Sequence, residues 1–254
     1  MREILAQNVV ERDDWDRHWK DLAEGTAVNP AQEYRRTLIL AALDLDRAPA
    51  PKVLDIGSGL GDLLIDLHAL YPNIPKVGIE LSRSGVEIAS RRLPQARFLQ
   101  RDLIEGHNDP GEYRAFATHA VCSEVLEHVD DPVRLLRNSQ PYLAPGCRLV
   151  VTVPGGPKSQ FDLHIGHRRH FTPQELRDVL SKAGFKVDYT TGAGFPFFNL
   201  YRLLVILRGK RLVADSEGEP SALLKLVSHI FDQLFRLNLS KSALGWQTIG
   251  IARL

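Results

Sequence analysis

Cysteine is nearly absent: Cys122 and Cys147 are the only two in 254 residues. That excludes a disulfide framework and a cysteine-built structural zinc site, and it suits a reducing, cytoplasmic setting. An excess of one charge is missing too, since 32 Lys and Arg stand against 31 Asp and Glu, a net charge of +1. No global field therefore draws the chain to nucleic acid or to an anionic membrane. The longest apolar run, residues 195–207 (FPFFNLYRLLVIL), is interrupted by Arg202 and falls short of the roughly 20 residues that span a bilayer. Residues 1–16 hold no apolar core of signal-peptide length, so neither a transmembrane helix nor export is expected. Internal repeats and low-complexity tracts are also lacking.

What is present is a globular composition, 44% hydrophobic and 25% charged, in a chain long enough for one large domain with a real core. From about residue 52 to residue 154, short β-rich runs alternate with amphipathic stretches: KVLDIG, KVGIEL, ARFLQRDL, HAVCSEV and CRLVVTVP. The alternation predicts an α/β doubly wound fold, a parallel sheet covered on both faces by helices. Helix starts are signalled by Ser82, by Asp131 before Pro132, and by Thr172 with Pro173 and Glu175, the last a capping box with proline at N1. Beyond Gly184, FKVDYTTGAG and LGWQTIGIARL read as two further strands. The chain thus divides into a helical cap over 1–45, a main α/β unit over 46–194, a helical insertion over 195–243 and a last strand over 244–254. Trp15 and Trp19 share one helical face of the cap. The insertion carries two amphipathic patterns separated by the polar stretch DSEGEPS.

VLDIGSGLGDL, residues 53–63, sets Gly57, Gly59 and Gly61 between a strand and a helix, where glycine allows a tight turn and close approach of a ligand to the backbone. A dinucleotide fingerprint needs G-x-G-x-x-G, and Asp62 stands at the sixth position, which disfavours NAD. Asp55, ending the first strand, would repel a pyrophosphate and welcome an ammonium or sulfonium group. Glu80, ending the second, suits a ribose diol, and Asp102 can accept from an adenine amino group.

These residues resemble the class I S-adenosylmethionine-dependent methyltransferases over about residues 50–190, with VLDIGSGLGD the most specific piece and SEVLEHVDDP and FTPQELRDVLSKAGF in support. The resemblance implies a Rossmann-like seven-stranded sheet with one late antiparallel strand. It places Gly57, Gly59 and Gly61 on the methionine moiety, Glu80 on the ribose and Asp102 on the adenine, with Asp55, Leu81, Leu103 and Ser123 completing the cofactor set.

After the fourth strand, SEVLEHV puts Glu124, Glu127 and His128 at i, i+3 and i+4, on one face if the stretch is a helical turn. Two carboxylates and an imidazole suit a divalent ion with open positions. FDLHIGHRRHF adds His164, His167 and His170 in the loop after the fifth strand, at the same edge of the sheet. The pattern E-x-x-E-H with a later His resembles a metal-assisted branch that includes ubiquinone-pathway O-methyltransferases and small-RNA 2′-O-methyltransferases; by that resemblance His167 is the later ligand. Metal-free general-base work by His128, His167 or His164 stays an alternative, as does a purely structural role. Either catalytic route favours a hydroxyl acceptor, which needs help losing its proton far more than an amine does.

The expected activity is methyl transfer to the oxygen of a small molecule. N- or C-methylation, and a cofactor-binding partner subunit without transfer activity, are the alternatives. An RNA substrate is the weaker reading, because Arg168 and Arg169 form a short basic cluster rather than a stripe. The insertion, through Phe197 and Phe198, is expected to fold with Trp15, Trp19 and Tyr34 as a lid that selects an acceptor with apolar surface. Extra core, dimer contact, or membrane contact through Arg208, Lys210 and Arg211 are the competing roles.

Overall fold

In the computed structural model, residues 29–105, 109–208 and 222–254 are described, together with Trp15, Asp16 and Trp19. Most of the predicted 1–45 cap, the DSEGEPS stretch, Lys210 and Arg211 lie outside them, as does the side chain of Arg208.

Seven strands form one sheet: Val53–Ile56 (β1), Lys76–Glu80 (β2), Arg97–Gln100 (β3), Ala117–Ser123 (β4), Leu143–Pro154 (β5), Lys186–Ala193 (β6) and Gln247–Arg253 (β7). Their order is β3-β2-β1-β4-β5-β7-β6. β1 to β5 pair in parallel, while β7 runs antiparallel between β5 and β6. The doubly wound seven-stranded sheet with a late antiparallel strand is therefore present as the motifs implied. Strands covered on both faces read as near-continuous apolar runs, and every residue of β1 and β2 is buried, Lys76 and Glu80 included.

The covering helices are Pro30–Leu43 (α1), Asp62–Leu70 (α2), Arg83–Arg92 (α3), Pro132–Ser139 (α4), Gln160–His164 (α5), Pro173–Lys182 (α6), Phe197–Arg208 (α7) and Ala222–Phe235 (α8). Their starts follow the cap chemistry. Ser82 Oγ accepts from Gly85 N at 3.0 Å, Asp131 Oδ1 from Arg134 N at 2.9 Å, and Thr172 with Glu175 forms the reciprocal capping box. Alternate residues of each central strand serve opposite faces. Val53, Val121 and Val150 pack with Leu38, Ile39 and Leu64 from α1 and α2. Leu54, Cys122 and Val151 pack with Leu136 and Leu176 from α4 and α6.

A third, aromatic cluster joins α7 and α8 to α1: Phe198 lies 5.5 Å from Tyr34 and 5.8 Å from Phe235, between ring centroids. Phe198 is 2% exposed, so it is core of this cluster. Phe198→Ala is expected to cost about 3 to 5 kcal/mol of stability, the usual loss for a buried ring. Urea unfolding checks this; a change below about 1 kcal/mol would mean that the site is open enough to collapse without loss.

Candidate active site

The predicted cofactor residues collect at the carboxyl ends of β1 to β4, the edge at which open α/β sheets bind ligands. Directly after β1 the chain turns through Gly57, Gly59 and Gly61 with φ of +75°, +51° and +81°, a sequence of left-handed positions that side-chain-bearing residues would strain. Glu80 ties this loop to the next unit, its Oε2 accepting from Gly59 N at 2.8 Å and its Oε1 from Ser82 N at 2.9 Å. Burial raises the Glu80 carboxyl, and these two backbone donors oppose the rise. Asp55 is pushed up to about 7, first by burial and then by Glu80 and Asp62. Leu81 follows Glu80 and is half-buried, and Leu103 is buried. Asp102 Oδ1 accepts from Ile104 N at 2.8 Å and Glu105 N at 3.1 Å, holding its own turn. Ser123 Oγ lies 2.8 Å from Thr152 Oγ1.

The described part of the N-terminal segment lies on this loop. Asp16 Oδ1 accepts from Ser84 N at 2.9 Å and from Ser82 Oγ at 2.7 Å. A Cβ added at Gly59 would come within 3.0 Å of the Trp19 ring, and one at Gly85 within 3.1 Å of it. Trp15 meets the His128 ring edge-on at 4.8 Å between centroids. One short stretch of chain thus touches both the glycine loop and the histidine site.

That second site differs from the expected helical turn. Glu124 follows β4 with φ of +55°, and within SEVLEHV only Leu126–His128 forms a turn of 3-10 helix. Glu124 Oε2 accepts from Arg35 Nη1 at 3.0 Å and its Oε1 from Gln247 Nε2 at 2.9 Å. Glu124 thus ties α1 and β7 to the end of β4, and it belongs to neither convergent group among the described residues. Glu127, His128 and His167 do converge, with one ligand-type atom from each within 4.8 Å of the others. His128 Nε2 lies 3.9 Å and His167 Nε2 4.0 Å from Glu127 Oε1. His164 is exposed at the end of α5 and belongs to neither convergent group among the described residues. The chain turns at Gly166 (φ +84°), which carries His167 inward and leaves His164 outside.

Glu127 is fully buried, and neither carboxylate oxygen has a hydrogen-bond partner among the described residues. Burial, reinforced by Glu124, pushes its carboxyl well above the usual range. Burial and the neighbouring His128 push His167 down.

Behind His167 stands a group that the sequence motifs did not single out. Asp162, buried, accepts from Arg202 Nη1 at 3.0 Å and Nη2 at 2.8 Å, and from Ser159 N and Oγ at 2.6 and 2.8 Å. Burial works to raise Asp162, but Arg202 and Ser159 outweigh it and hold the carboxyl at about 2. His170 lies 3.3 Å from His167 through their ring nitrogens. The three-histidine run was a signal for His170. Nothing local marks the pairing of Asp162 with an arginine 40 residues away in α7.

The glycine loop with Glu80 and the histidine site beside β4 share one edge of the sheet, and the family profile of the methyltransferase domain matches residues 29–190. The chain belongs to the methyltransferase domain family. This match agrees with the resemblance to the class I S-adenosylmethionine-dependent methyltransferases that the motifs carry. Among curated relatives, the trans-aconitate 2-methyltransferase of Sinorhizobium fredii is 34% identical over 119 residues, covering 47% of this chain and 43% of that one. The ubiquinone biosynthesis O-methyltransferase of Aeromonas salmonicida is 26% identical over 169 residues, covering 60% and 70%. The chain thus spans less than half of the first relative's length. Among solved structures, geranyl diphosphate C-methyltransferase from Streptomyces coelicolor superposes with a TM-score of 0.55 over 87% of this chain and 79% of that one. At 14% identity this likeness concerns the fold alone. No helix among the described residues is long and apolar enough to cross a membrane.

Proposed function

We propose that this methyltransferase transfers the methyl group of S-adenosylmethionine to a hydroxyl of a small molecule with apolar surface, and that Glu127, His128 and His167 hold a divalent ion beside the acceptor. The observation that carries the reading is the Glu127 carboxylate, fully buried and with both oxygens unpartnered among the described residues. An unsatisfied buried carboxyl costs stability unless something absent from the chain satisfies it. One carboxylate facing two imidazole Nε2 atoms at 3.9 and 4.0 Å is the donor set of an intermediate-hardness cation. Such an ion would supply Lewis acidity that lowers the hydroxyl's pKa. A relative similar over 60% of this chain is named a ubiquinone biosynthesis O-methyltransferase, which supports an oxygen acceptor.

The remaining roles belong to the chain. S-adenosylmethionine supplies the electrophilic methyl, so the protein's work is to bind, orient and exclude water. In this reading the glycine loop receives the methionine moiety, Glu80 accepts from the ribose diol, and Asp102 with Leu81, Leu103 and Ser123 borders the adenine side. Trp15 and Trp19 close the edge from above. Exhaustive chelation, with metal analysis confirming removal, is expected to stop transfer to hydroxyl acceptors such as phenols without weakening cofactor binding. Full activity of the metal-free protein would leave His167 or His128 as a general base and would end the metal reading.

Asp55 gives the cofactor placement its own test. Its ordinary value of 3.8 rises to about 7 in the folded chain, so the unfolded state ionises first. Its effect on stability is therefore complete below pH 3.8, and stability falls as pH climbs from there to about 7. A sulfonium nearby favours the carboxylate. Binding of S-adenosylmethionine just below pH 7 is thus expected to release a proton, seen by calorimetry in buffers of different ionisation enthalpy. S-adenosylhomocysteine, lacking the sulfonium charge, should release less, and Asp55→Asn none. Equal release by both ligands would place Asp55 away from the sulfonium.

A further inference from the structure

Which nitrogen of His167 faces the pocket decides whether it can bind a cation or take a proton at all, and the chain settles this through His170. His170 Nδ1 lies 3.0 Å from the carbonyl oxygen of Gly156. A carbonyl only accepts, so that nitrogen carries a hydrogen. In a neutral imidazole the other nitrogen is then an acceptor, and His170 Nε2 lies 3.3 Å from His167 Nδ1. His167 must therefore donate from Nδ1, which leaves the lone pair on its Nε2, the atom 4.0 Å from Glu127 Oε1. Reversing the polarity would require protons on both His170 nitrogens. That cation would stand on a side chain 7% exposed, in a corner where Arg202 already neutralises Asp162.

Asp162 is the obvious rival for this task, because a carboxylate behind a metal-binding histidine often fixes its ring. Its Oδ1 stands 3.7 Å from His167 Nδ1, beyond hydrogen-bond range. Its oxygens are already engaged by Arg202 and Ser159. What Asp162 does give is the backbone bond from His167 N to its carbonyl at 2.9 Å, which places the residue without choosing its tautomer.

We propose that His170 is a positioning residue: relaying the Gly156 carbonyl through one imidazole, it fixes His167 as the Nδ1–H tautomer and so presents an unprotonated Nε2 to Glu127 and His128. The proposal rests on the reading of those three residues as the reactive centre, and its test is independent of turnover. Nitrogen-15 spectra of the full chain labelled at histidine report the tautomer of each ring, and the His167 signal is assigned by its loss in His167→Asn. The wild-type protein is expected to show a protonated Nδ1 and a bare Nε2 at His167; the opposite tautomer overturns the proposal without any further variant. His170→Phe removes the acceptor and is expected to mix or invert the His167 tautomer, whereas His170→Gln, which keeps an acceptor of similar reach, should preserve it. An unchanged tautomer in a folded His170→Phe protein overturns the proposal. Binding of Mn2+ alone, followed by its electron-spin signal, is expected to weaken by about 10- to 100-fold in His170→Phe and to recover in His170→Gln. Failure of the wild-type protein to bind Mn2+ would contradict the metal reading only, and the tautomer would still decide the part played by His170.

Discussion

Glu127→Met is expected to stop methyl transfer and to make the metal-free protein more stable. Glu127 is fully buried, its two oxygens lack hydrogen-bond partners among the described residues, and its carboxyl is pushed well above the usual range by burial. Methionine fills similar space without a polar group, so removing the carboxyl should raise stability by about 1 to 3 kcal/mol, the cost of one unsatisfied buried group. Turnover should fall by about 10² to 10⁴, the range for losing assistance to proton removal. Sites that sacrifice stability for function give this opposed pair of changes. Urea unfolding and a labelled-methyl assay read the two together. A variant that loses stability would show Glu127 to be a structural group and not an ion ligand.

Glu80→Ala should weaken S-adenosylmethionine binding by roughly ten- to hundredfold, about 1.5 to 3 kcal/mol for a charge-assisted acceptor. The carboxylate accepts from Gly59 N and Ser82 N at 2.8 and 2.9 Å, and its two oxygens have lone pairs left for a ribose diol. Alanine removes both functions. Glu80→Gln, with one acceptor oxygen, cannot serve both backbone donors and a diol, and should fall between. Calorimetry that finds unchanged affinity in Glu80→Ala would put the ribose elsewhere.

Much of the scaffold was readable in the sequence for definite reasons. Parallel strands buried on both faces leave apolar runs, and Ser82, Asp131 and Thr172 announce helices because each accepts a backbone N–H that no helical carbonyl can serve. The acids and glycines at strand ends followed once the strands were set. The histidine site was readable only in part. Spacing at i, i+3 and i+4 predicts a shared face on the premise of helical backbone, and the left-handed Glu124 breaks that premise. Spacing likewise could not say that Gly166 turns His164 outward, or that Arg202 reaches Asp162 from another helix. Such pairings depend on tertiary placement, as does the burial of Phe198 between Tyr34 and Phe235.

On the proposed function, Glu127, His128 and His167 jointly hold a divalent ion at the methyl-transfer site. Anomalous diffraction at the manganese edge, from crystals of the full chain grown with Mn2+ and S-adenosylhomocysteine, tests it without knowledge of the acceptor. The expected result is one peak bonded to Glu127, His128 Nε2 and His167 Nε2, with the ribose of the cofactor product on Glu80. No peak at those three residues under saturating Mn2+, with the cofactor product in place, would contradict it.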